Sequence, residues 1–168
     1  VRRDVEKLAL CSYFAEVAEA VAEEGRPDQA LLSLLLNSIY ALDRLNKPPA
    51  LVKAAFELRL LCVAGYEPLL DACALCGEEA PAQPRLDLGE GVLCCAACGE
   101  GEGASRPLDA VSLAAMRHVV YGDPKRLFSF SMNGESMALM ARACEDFLLT
   151  QLDRGFRTLD FYKQLDMG

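Results

Sequence analysis

A single histidine, His118, serves the whole chain of 168 residues. That scarcity removes histidine metal cages and leaves a Ser-His-Asp relay without a base to build on. His118 falls mid-helix between Arg117 and Val119 and reads as a surface or packing residue. No other acid–base set replaces it. Glu145 and Asp146 are adjacent on a helix, and adjacent positions do not face each other, so they read as a solvated face. The stretch Gly99-Glu-Gly-Glu-Gly103 is glycine-rich but lacks the lysine and hydroxyl of a phosphate loop, and its glutamates repel phosphate. The chain therefore reads as non-enzymatic.

Long apolar runs are also missing. A membrane span needs about 20 apolar residues. The richest run, Ala30 to Leu45, is shorter and holds Asn37, Asp43 and Arg44. No basic, apolar and small-residue sequence marks a signal peptide. A cytoplasmic protein without membrane contact is expected, where cysteines serve as metal ligands rather than as a disulfide frame. There is no basic stripe either. Arg2, Arg3 and Lys7, then Lys125 and Arg126, then Arg154, Arg157 and Lys163 are scattered, mostly beside acids. DNA binding by this stretch alone should be weak and steeply salt-dependent.

What is present is apolar bulk: 52% hydrophobic residues, enough for a genuine core. The net charge is −8. Between Tyr66 and Ala104 eight acids face one base, Arg85, so an acidic island sits on a nearly neutral body. The first residue is Val1 rather than Met, and a piece of a longer protein is expected.

Helical periods dominate both ends. Arg2 to Glu24 places Leu10, Phe14, Val17 and Val21 on one face. Asp28 offers an N-cap for a second helix to about Leu45, apolar nearly all round and so expected at the centre of a bundle. Pro48 and Pro49 restart the chain for a third helix to about Ala64, with Gly65 as its cap. Helical pattern returns from Asp109 to Tyr121. Asn133 or Ser131 can cap a long helix that Gly155 closes, and Thr158 to Leu165 suggests a last short one. Between them, Pro, Gly and Cys replace the helical period. Arg85–Leu88 and Gly91–Leu93 suggest two short strands joined at Gly89-Glu90. The expected fold is mainly α: a helical bundle (residues 1–66 and 107–168) with a small zinc-ribbon-like insert (67–106).

Four cysteines carry the chemistry. Cys73-x2-Cys76, 18 residues, then Cys95-x2-Cys98 matches four-cysteine zinc sites. Two intervening residues let one tight turn aim both sulfurs at one ion. Gly77 and Gly99, directly after each pair, permit the turn's positive φ. Four thiolates close the shell, so the zinc is structural. Cys94 is an alternative to Cys95 as third ligand, with three residues before Cys98. Cys11, Cys62 and Cys144 read as small core residues. Structural zinc supplies roughly 10–16 kcal/mol of apparent binding energy. Metal removal is therefore expected to melt the insert while the helical body survives.

The run from Ala54 to Gly77 resembles the central motif of RecO, a family of bacterial recombination mediators. The shared residues are Phe56, Glu57, Arg59, Leu60 and Leu61, then Gly65, Tyr66 and Pro68, then Cys73 and Cys76. Gly91-Val-Leu-Cys94 resembles that family's approach to its second cysteine pair, although Cys94 and Cys95 are doubled here. Phe156 to Leu165 loosely resembles its final helix. The family's N-terminal OB-fold has no counterpart in this chain. The resemblance implies a mediator of DNA repair and recombination, associated with the bacterial nucleoid. Such a protein would bind and anneal DNA, act with RecR, and help load RecA onto strands covered by single-strand binding protein (SSB). It also implies docking of the acidic, Phe-ended SSB tail, for which Arg59, Arg154 and Arg157 are candidates. The competing reading is an unrelated zinc-ribbon adaptor for protein partners.

Overall fold

The computed structural model describes residues 1–98 and 104–167. The bundle begins with α1 (Arg2–Val21), α2 (Gln29–Asp43) and α3 (Pro49–Val63). Local chemistry sets their limits. Asp28 caps α2 by accepting from the Leu31 amide at 3.0 Å. Pro49 opens α3, where a missing N–H costs nothing. Gly65 (φ +95°) then turns the chain out of α3.

The expectation that α2 forms the centre is overturned: α3 does. From Leu51 to Leu61 every residue of α3 except Arg59 is buried, including Lys53 and Glu57. α3 touches α1, α2, α4 and α5. α2 lies at the edge, packed on α1 and α3, with Leu32, Leu36 and Tyr40 each more than half exposed.

Three antiparallel strands follow in the order β2-β1-β3: β1 (Pro84–Asp87), β2 (Val92–Cys95) and β3 (Ser105–Pro107). A 3-10 turn, Ala96–Cys98, leaves β2. The hairpin pairs Pro84 with Cys95 and Asp87 with Val92. At its tip Gly91, not Gly89, takes positive φ (+65°), and a side chain there would meet Phe147 at 3.2 Å.

The second half comprises α4 (Ala110–Tyr121), the 3-10 turn Pro124–Arg126, α5 (Gly134–Leu152) and α6 (Arg157–Met167). Asp109 and Ser112 form a reciprocal capping box on α4. Asn133 caps α5. Asp153, in left-handed conformation at φ +51°, ends α5 in place of the expected Gly155. α6 returns to α1, where Tyr13 meets Phe156 edge-on and Glu16 accepts from the Thr158 hydroxyl at 2.6 Å. Among the described residues no helix is long and apolar enough to cross a membrane.

The fold is thus a helical bundle with a small zinc-ribbon-like insert, and one core runs through both. Leu70, Leu86, Leu88 and Leu93 from the ribbon join the cluster of helical side chains. Polar fastenings complete the join. Arg117 of α4 donates to the carbonyls of Leu70 (2.7 Å), Asp71 (3.3 Å) and Glu79 (2.6 Å). The Tyr121 hydroxyl accepts from the Leu70 amide. From α5, Gln151 donates to the Leu88 and Gly89 carbonyls, and Asp146 pairs with Arg106.

Candidate metal centre and cationic groove

The first cysteine pair sits on a tight loop stitched to the hairpin. The Gly77 amide donates back to the Cys73 carbonyl at 2.9 Å, and Gly77 has φ +79°. The Cys73 amide donates to Glu78, and the Ala74 amide to Leu93 of β2. The second pair straddles the end of β2 and the 3-10 turn after it. Gly99 and the glycine-rich stretch to Gly103 lie outside the described residues.

These two elements bring Cys73, Cys76, Cys95 and Cys98 together, with all four sulfurs within 4.8 Å of one another. Cys73 and Cys98 are 3.8 Å apart, Cys76 and Cys95 3.7 Å, and Cys95 and Cys98 3.3 Å. An ion bound tetrahedrally at about 2.3 Å holds its sulfurs roughly 3.8 Å apart. The donor set therefore fits such an ion, and four close cysteines can bind a metal. Cys94, one residue before Cys95 on an alternating strand, stands outside the cluster.

Cys73 and Cys95 are buried, Cys98 is half-buried, and Cys76 faces solvent. The Cys76 amide draws the Cys73 thiol down to about 6. The neighbouring Cys95 and Cys76 sulfurs push the Cys98 thiol far up. Four thiols this close cannot all ionise against one another, and a divalent cation removes that conflict.

The remaining cysteines behave as packing. Cys144 is fully buried, and Cys11 and Cys62 lie against the core. His118 is half-buried, with Nε2 2.7 Å from the Arg126 carbonyl and its ring edge-on to Phe130. Glu145 and Asp146 are not a solvated face. Glu145 meets Lys53 at 2.9 Å and Lys163 at 3.0 Å, while Asp146 meets Arg106. Glu145 thereby meets cations from α3 and α6, while Asp146 meets Arg106 and, one turn back on its own helix, Arg142 at 3.7 Å.

A second feature runs beside α2. A cavity of about 370 Å³ lies between Tyr40 and Leu45 on one side and Pro124 to Ser129 on the other, with Lys47 and Lys125 in its lining. A smaller one, about 140 Å³, continues it past Asn37, Pro124 and Leu127 to Leu34, Val63 and Arg59. Together they form an apolar groove lined by three cations and no carboxylate. Arg59 also donates to the Val120 carbonyl at 3.1 Å, at the end of α4. Arg154 and Arg157 line neither cavity. Arg154 lies over the Phe156 ring at 4.4 Å, and Arg157 is exposed at the start of α6. Of the three candidate arginines, Arg59 alone lines this groove, and its other two cations, Lys47 and Lys125, were not among the sequence candidates. The available signal was an α2 carrying more leucine than one buried face can use.

With this geometry established, comparison with known proteins is informative. The family profile described as "Recombination protein O C terminal" matches residues 2–160. The chain is 26% identical over 166 residues to the DNA repair protein RecO of Acetivibrio thermocellus, covering 99% of this chain and 66% of that protein. It is 33% identical over 172 residues to that of Symbiobacterium thermophilum, covering 98% and 66%. To that of Anaeromyxobacter sp. strain K it is 40% identical over 117 residues, covering 69% and 46%. The chain thus spans no more than about two thirds of the length of these relatives.

Proposed function

The chain belongs to the RecO family, matching its C-terminal part, and from that premise we propose that it is a non-enzymatic domain of a DNA repair and recombination mediator. In this reading it acts with DNA, RecR and SSB in the bacterial cytoplasm, at the nucleoid. It contributes partner docking to the annealing of strands and the loading of RecA. Zinc is the proposed ion of the four-cysteine centre. Its role there is structural: Cys73, Cys76, Cys95 and Cys98 supply four sulfurs and leave no open position for substrate.

The observation that carries the docking role is the groove beside α2. Its apolar walls suit a hydrophobic side chain, and Lys47, Lys125 and Arg59 suit carboxylates. A short acidic tail ending in Phe, as in SSB, combines both chemistries. Charge also favours this arrangement, because the ribbon's acids would repel such a tail from the ribbon itself.

Fluorescence anisotropy with a labelled SSB tail peptide tests the reading. Saturable binding is expected, lost when the terminal Phe is removed. Lys125→Glu and Lys47→Glu should each weaken it by about tenfold or more, the scale of a charge-assisted hydrogen bond. Arg154→Ala and Arg157→Ala should leave it unchanged. Absence of binding at high protein concentration would remove the docking role from this chain.

A further inference from the structure

The second wall of the groove, Pro124 to Ser129, is a 3-10 turn and the residues just after it. Every residue of this segment except Arg126 lines the larger cavity. Leu127 and Phe128 hold the segment to the core by burial. Lys125 is exposed. The position of its ammonium therefore depends on the backbone of the turn and not on packing of its own side chain. That backbone is tied back to α4 at one point. The Arg126 carbonyl lies 2.7 Å from Nε2 of His118. A carbonyl only accepts, so Nε2 carries a proton and donates. The same carbonyl accepts from the Ser129 amide at 3.0 Å. Among the described residues no other hydrogen bond joins this segment to another element. The imidazole stands edge-on to Phe130, which fixes the plane of the ring.

The exit from α4 leaves little slack. The Gly122 amide donates to the His118 carbonyl at 2.9 Å, and a side chain at Gly122 would come within 2.4 Å of that oxygen. His118 thus grips the chain twice, by its carbonyl at the corner and by its ring further along the segment. Arg59 is referenced to the same end of α4 through the Val120 carbonyl at 3.1 Å. We infer that His118 is a positioning residue of the groove: its imidazole clamps the Arg126 carbonyl and so sets Lys125 for an anionic occupant. His118 lines neither cavity and acts only through the wall. The inference rests on the docking role proposed above and names the residue that holds that site in shape.

Two readouts on the intact chain test it. The first is affinity for the labelled SSB tail peptide. His118→Ala should weaken it by about three- to tenfold, the scale of one hydrogen bond. His118→Gln, whose side-chain amide can donate as Nε2 does, should recover most of that loss. In a Lys125→Ala background the loss from His118→Ala should be smaller, because the effect runs through that ammonium. A general loss of packing would be equal in both backgrounds and would not be rescued by glutamine. The second readout needs no peptide. Amide exchange at Arg126, Leu127 and Ser129 should quicken in His118→Ala, with helical circular dichroism unchanged. Unchanged exchange would overturn the inference whatever the peptide does. So would a peptide affinity indifferent to His118→Ala, or a loss that His118→Gln does not restore. Quicker exchange in His118→Ala, beside an unmodified chain that binds no peptide, would overturn the docking role instead and leave His118 as a clamp on the wall.

Discussion

Lys53 lies 3.1 Å from Glu57 and 2.9 Å from Glu145, with its side chain 8% exposed. Tyr13 completes the group by donating to Glu57 at 2.6 Å. Burial raises the Glu57 carboxyl, and Lys53 opposes that rise. Lys53→Met would leave Glu57 buried with the tyrosine alone. We expect a loss of about 3–5 kcal/mol in urea unfolding, the range for one member removed from a buried ion pair. A carboxyl raised in the folded state favours folding at low pH and loses that advantage as pH rises through its folded value. The loss should therefore be larger at pH 8 than at pH 5. Glu145 has the opposite sign. Burial pushes it up, but Lys53 and Lys163 together hold it below its ordinary 4.5. The stability it adds is complete above 4.5 and disappears as pH falls through the lowered value. Gly91→Ala is a backbone case. With φ +65° and Phe147 at 3.2 Å, it should cost about 1–3 kcal/mol, read as a lower thermal midpoint.

Among the elements, the ribbon is tied to the bundle by a shared core and by polar contacts, of which Arg117 makes the most. Arg117→Ala removes three hydrogen bonds to ribbon carbonyls. It should speed amide exchange at Cys73, Ala74 and Gly77 while helix content stays constant. Chelation tests the proposed zinc. We expect cleavage by protease within residues 67–106 and a lower melting temperature, with most helical circular dichroism retained. The melting drop should be large, because four ribbon leucines sit in the shared core. The cysteine spacing was legible in the sequence because a knuckle is a local constraint of four residues. The ranking of helices was not. Burial of Lys53 and Glu57 in α3 depends on Tyr13 and Glu145, which lie 44 and 92 residues away in sequence. The uncharged α2 looked central because composition cannot distinguish a face buried by the core from one left open. Strand β3, three residues ending in Pro107, is too short to leave a period.

At the scale of the whole molecule, charge is segregated. The ribbon carries acids, while the α2 groove presents Lys47, Lys125 and Arg59. The overall class was legible because bundle and ribbon differ in texture: helical periods on one side, Pro, Gly and Cys on the other. The groove was not legible, since its two walls come from α2 and the 124–129 segment, joined only in three dimensions.

The pairing of α1 with α6 also sets a timetable for synthesis. The Glu16–Thr158 bond joins residues 142 positions apart. At about 5–20 residues per second, α1 waits on the order of ten seconds before its partner emerges from the ribosome. Throughout that interval Tyr13 lacks Phe156. The nascent chain therefore presents a sticky helix until α6 is made, and a chaperone that shields α1 would be most useful in that interval.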